Sequence, residues 1–108
     1  MPTVLQNLIH TWAATQSIPL TGQDAGGDST RLWLLEDGYL VGEIRILLVR
    51  ADPPSFYLEV MCGSMVLDES WANLKSLASC LTMGLRLLQR RVKTEEPQWH
   101  LHLGDQSP

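Results

Sequence analysis

The sequence predicts an α+β fold: an N-terminal helix, a three-stranded antiparallel meander, a long amphipathic helix and a short C-terminal strand. Three observations carry this expectation. An Asp37-Gly38 pair separates two apolar runs, the strongest short-range signal for a hairpin. Phe56, Leu58, Val60 and Cys62 alternate with Tyr57, Glu59 and Met61, the period of a strand. From Trp71 onward the apolar residues recur at intervals of three and four, the period of a helix.

Helix one is expected over Thr3 to Gln16, where Leu5, Leu8, Ile9 and Trp12 share a face and Thr3 with Gln6 matches a capping box. Ile18-Pro19 stops it, because a residue before proline is pushed out of the helical region. Thr21 to Thr30 is polar and holds adjacent glycines, Gly26 and Gly27, so it reads as a mobile surface loop. Arg31 to Glu36 and Tyr39 to Arg50 are then antiparallel neighbours across the Asp37-Gly38 turn. Along the second of them, Leu40, Ile44, Ile46 and Leu48 face the core, whereas Val41, Glu43, Arg45, Leu47 and Val49 form a mixed outer face. Gly42 is placed to mark a bulge.

Ala51 to Ser55, with two prolines, is a turn into the third strand, which Gly63-Ser64 could end. Met65-Val66-Leu67 either extends that strand or leads into the next helix. The long helix is expected from an N-cap at Asp68, with Trp71, Leu74, Ala78, Leu81, Leu85, Leu88 and Val92 as its seam. Gly84 interrupts that helix, consistent with a close neighbour. The tail Gln98 to Leu103 alternates Trp99, Leu101 and Leu103 with His100 and His102, a short fourth strand. Residues 1–103 thus form a single domain, and 104–108 a disordered tail.

Composition narrows the function. With 108 residues and 44% apolar content the chain suits one domain with a real core. A net charge of −4 gives no field to attract phosphate backbones or anionic lipid, so nucleic acid and membrane are not expected partners. No apolar run reaches the roughly 20 residues of a bilayer span, and Met1-Pro2-Thr3 does not begin a secretory leader. A cytoplasmic protein with Cys62 and Cys80 as reduced core thiols is expected.

Reagents for chemistry are sparse. His100 and His102 point to one side of a strand, yet neither Cys nor Glu neighbours them in sequence, so solvent-facing histidines are expected and no metal. The cysteines have no basic neighbour that would activate them. Glu36 and Asp37 belong to a turn, and Gly26-Gly27 has neither the spacing nor the following helix of a phosphate cradle. The arginines ending the long helix, Arg86, Arg90 and Arg91, suit its dipole. The expectation is therefore no catalytic residue, no cofactor and no metal. What stands out is apolar surface: the helical stripe, Val41, Leu47 and Val49, and Trp33 and Leu35 opposite Leu32 and Leu34, together more than so small a core requires.

The order of elements resembles that of class I chaperones of bacterial type III secretion systems. The residues carrying the resemblance are Leu5, Leu8, Ile9 and Trp12, the strand-turn-strand from Leu32 to Val41, and the helix from Ser70 to Val92. The family usually has two strands and a helix after its long helix, where this sequence offers one strand. That departure also fits the chaperone-like co-regulators of Hrp-type secretion systems, which bind an activator or another subunit. The resemblance implies stoichiometric binding without turnover, with a partner segment held in extended form. Leu5, Leu8, Ile9, Trp12, Trp33 and Leu35 would contact the partner, a secreted effector or a regulatory subunit. Trp71, Leu74, Leu81, Leu85 and Leu88 would form a homodimer or heterodimer interface. The alternative is a small heteromeric interaction module, or an anti-activator that sequesters a transcriptional activator.

Overall fold

The structure, a computed structural model, describes residues 4–22, 28–91 and 99–104. Its elements are α1 (Val4–Thr15), β1 (Leu20–Thr21), β2 (Ser29–Glu36), β3 (Tyr39–Ala51), β4 (Pro54–Cys62), β5 (Met65–Asn73), α2 (Leu77–Arg91) and β6 (Trp99–Gly104). The strands form one six-stranded sheet in the order β1-β6-β2-β3-β4-β5. All neighbours are antiparallel except β1 and β6, which run parallel.

Period-2 alternation builds the core face of the sheet. Leu32, Leu34, Ile44, Ile46, Phe56, Leu58, Val60, Leu101 and Leu103 are all buried, and α1 and α2 cover them. From α1 come Leu5, Ile9, Trp12 and Ala13; from α2 come Leu77, Leu81, Leu85 and Leu88. The Trp12 indole donates to the Thr82 hydroxyl at 3.0 Å, which ties the two helices together. Two glycines set the approach of α2 to the sheet. A Cβ on Gly42 would overlap the Leu88 side chain, and one on Gly84 would lie 2.9 Å from a Val60 methyl. The close neighbour of Gly84 is therefore the sheet itself. Gly42 also borders the bulge expected in β3, where the register with β2 slips between Leu34 and Leu35. The β2–β3 turn is of the expected kind, with Asp37 at φ 50° and Gly38 at φ 85°.

The expected fold class is corrected by the sheet. The structure is a six-stranded mixed sheet with two helices, where a three-stranded meander, a helix from Asp68 and a short terminal strand were expected. The meander has four strands, since Gly63-Ser64 is a turn and Met65–Asn73 returns along β4. Trp71 and Leu74 fall by coincidence on the three-and-four spacing of the α2 leucines. They belong to a strand and the turn after it, because a ladder of eight residue pairs with β4 satisfies the inner edge of this backbone and puts Ala72 into the core. Asp68 is no N-cap. The break comes at Asn73, whose Oδ1 accepts from the backbone amides of Lys75 (3.0 Å) and Ser76 (2.9 Å). Ser76 occupies the cap position of α2, and its carbonyl accepts from the Cys80 amide at 3.0 Å.

The tail is an interior strand: β6 pairs with β2 over Trp99–Gly104 and with β1 at Leu20 and Thr21. Gly104, expected in a disordered tail, is buried in this strand. Of the expected loop, Thr21 lies in β1 and Ser29 and Thr30 lie in β2. The cap expected at Thr3, residues 23–27 of the expected loop, Val92 of the expected helix seam and residues 105–108 of the expected tail lie outside the described residues.

Candidate functional site

Both helices lie on one face of the sheet, so the other face is open. Residues directly opposite across the ladder share a face, and the registers order this surface into rows. One row runs His102, Trp33, Glu43, Met61, the next Arg31, Arg45, Glu59, Glu69, and the third Leu47, Tyr57, Trp71. Strand alternation places these side chains here because their neighbours in sequence are the core residues above.

The first row is closed by its own contacts. The His102 ring stacks on Trp33 with centroids 5.3 Å apart and planes 9° from parallel, and Trp33 is buried despite facing outward. Glu43 forms ion pairs with Arg31 Nε at 3.3 Å and Arg45 Nε at 3.4 Å and accepts a hydrogen bond from the Trp33 indole at 3.3 Å, while Arg45 Nε itself is buried without a hydrogen-bond acceptor. The Thr21 hydroxyl bridges His100 Nε2 and His102 Nδ1, linking β1 to β6. Among the described residues no group of three or more His, Cys, Asp or Glu side chains is placed to hold a metal ion. Cys62 and Cys80 are free and half-buried.

The third row is different. Trp71 is 67% exposed at the margin of the sheet, and its ring lies 4.9 Å from that of Tyr57. Leu47 is also exposed. The pKa of Tyr57 lies above the ordinary 10.0. Desolvation is the main cause, followed by the charges of Glu59 and Glu69 and by hydrogen bonding toward Glu69, all of which favour the neutral phenol. A cavity of about 300 Å³ lies alongside, lined by Ser29, Arg31, Arg45, Leu47, Tyr57 and Glu59 among others.

This row ends at β5, which pairs only with β4 among the described residues. The outer edge of a nine-residue strand is therefore without a partner there. Such an edge presents a line of amide donors and carbonyl acceptors to any extended chain.

The residues expected to contact a partner are mostly interior. Leu5, Ile9 and Trp12 are buried under α1, and Trp33 lies beneath His102. Leu8 is half-buried at a groove of about 190 Å³ between α1 and α2, and Leu35 is half-buried beside Trp99 and His100. Of the residues expected at a subunit interface, Leu81, Leu85 and Leu88 are covered by the sheet of the same chain. The seam they form is intramolecular because the sheet is wide enough to use it. Trp71 and Leu74 remain exposed, but on β5 and in the turn after it. Tyr57 and Glu59, half-buried, and Glu69, exposed, belong to the open face, and spacing does not single them out. The signal for the first two is the alternation of β4; their meeting with Trp71 and Glu69 depends on β5 being a strand.

Comparison with protein-family models, with curated proteins and with solved structures finds no match for this chain. No described helix is long and apolar enough to cross a membrane.

Proposed function

We propose that this chain is a non-catalytic binding protein that holds an extended segment of a partner protein at the β5 margin of its open face. The observation that carries the reading is the outer edge of the nine-residue β5, unpaired among the described residues, with Trp71 67% exposed beside Tyr57. Main-chain hydrogen bonds to such an edge supply affinity, and the exposed Trp71 packed on the half-buried Tyr57 supplies the anchor that interface energetics favour. Holding a segment in extended form is also the role that the resemblance to type III secretion chaperones implies. In that setting the protein acts in the cytoplasm and its partner is a secreted effector or a regulatory subunit. The reading rests on the edge and the open face; the helix from Ser70 that contributed to the resemblance is strand through Asn73.

The test is selection of linear peptides from a random displayed library on the full chain, followed by binding to Trp71→Ala. Loss of an exposed aromatic anchor costs about 2 kcal/mol, so selected peptides should bind Trp71→Ala some thirtyfold more weakly. Peptides that bind this variant undiminished would overturn the assignment to this margin.

A further inference from the structure

The open-face row through Arg31 reads Arg31, Arg45, Glu59, Glu69, each directly opposite the next. Its charges run plus, plus, minus, minus, and the negative end lies at the edge that is unpaired among the described residues. Both guanidiniums turn to Glu43, and among the described residues neither Glu59 nor Glu69 has an ion-pair partner. Two carboxylates directly opposite on neighbouring strands disfavour each other. Tyr57, whose ladder partner Trp71 is two residues from Glu69, brings no charge. On the helix-side face of the same strand, Asp68 stands opposite Val60 and adds a third carboxylate at this level. The adjacent open-face row is apolar and ends at the edge with Trp71.

Building on the reading above, we infer that the segment added to β5 is cationic, with Lys or Arg opposite Glu69 and an apolar side chain two positions away opposite Trp71. The cation supplies the counter-charge that Glu59 and Glu69 lack at the edge end of the row, and period-2 alternation brings the apolar residue to the same face. A second copy of this chain fits poorly. Glu69 is the midpoint of Met65–Asn73, so antiparallel pairing centred there sets Glu69 against Glu69 of the second copy.

The experiment uses the full chain and capped peptides matching β5 in its nine residues. Each is threonine-rich, with a leucine two positions from a lysine in one peptide and from a glutamate in the other. Binding is measured by calorimetry at low and high salt, with amide exchange to locate it. An exposed ion pair is worth about threefold in affinity and a like-charge pair costs about as much, so the lysine peptide should bind about tenfold more tightly than the glutamate peptide. The ratio should shrink with salt and lose most of its size in Glu69→Gln. Equal binding of the two peptides, or a ratio that survives Glu69→Gln, overturns the inference and leaves the β5 reading standing. Failure of both peptides to bind, or protection away from β5, overturns that reading as well. A dimer in sedimentation with β5 amides protected and no peptide present assigns the edge to a second copy and also overturns the inference.

Discussion

Replacing Leu81 by alanine separates a leucine row that holds one chain together from a row that joins two. Leu81 is fully buried, between α1 and the sheet. The substitution removes about three carbons from the core, roughly 2.4 kcal/mol at 0.8 kcal/mol for each buried methylene. The cavity left behind brings the cost to about 3 kcal/mol or somewhat more. For a domain of this size that is a large share of a total stability of about 5–15 kcal/mol, and it should lower the thermal midpoint by roughly 15 °C. Leu74, 51% exposed, serves as the control and should lose less than about 1 kcal/mol on the same change. The assay is urea unfolding followed by circular dichroism at two well-separated protein concentrations. The expected result is a lowered midpoint for Leu81→Ala that does not move with concentration, because the contact lies within one chain. The reasoning is refuted if Leu81→Ala unfolds like Leu74→Ala, or if its midpoint rises steeply with concentration. Glutamate at both Leu81 and Leu85 should likewise abolish folding instead of yielding a folded monomer, as far-ultraviolet circular dichroism would show.

Three further outcomes follow from individual contacts. Gly42→Ala should destabilise by about 2 kcal/mol in the same urea assay, because its methyl overlaps Leu88; Gly84→Ala should cost less, since the gain in helix propensity offsets part of its contact with Val60. Tyr57 ionises less readily in the fold than in the unfolded chain, so its contribution is complete below about pH 10 and is lost as pH rises through the raised value. Stability of the wild-type chain should therefore fall more steeply above pH 10 than that of Tyr57→Phe, and phenol absorbance in Tyr39→Phe should titrate above 10.0. Glu43→Ala leaves Arg31 and Arg45 without their ion-pair partner and the Trp33 indole without its acceptor, a loss of about 1–2 kcal/mol given the partial exposure of both arginines. Raising the salt concentration should narrow the difference between that variant and wild type.

Local chemistry made much of the meander readable. The Asp37-Gly38 turn needs two positive φ values, and aspartate before glycine tolerates them. In β4, alternation separated Phe56, Leu58 and Val60 from Tyr57 and Glu59, and burial follows that division. The start of α2 was not readable from periodicity. Trp71 and Leu74 continue the spacing of the buried leucines, although Trp71 faces away from them across the thickness of the sheet. Asn73 and Ser76, three apart and just before Leu77, were the better signal, since their mutual hydrogen bonds break the chain between strand and helix. The position of β6 inside the sheet depends on a parallel bridge to a strand of only two residues, Leu20–Thr21, too short to show a period. The candidate site inherits the misplaced boundary. With Asp68 to Asn73 read as helix, neither the Tyr57–Trp71 pair nor the free edge could be foreseen, and the leucines of α2 had no sheet wide enough to cover them.

Amide hydrogen exchange measured by mass spectrometry reads directly whether β5 receives the partner. In the free protein the peptide covering residues 65–73 should exchange faster than that covering β3, which is paired on both sides. With a saturating selected peptide, protection should rise in residues 65–73 and stay unchanged in α1 and α2. Protection confined to the helices, with β5 exchanging as before, would contradict the account.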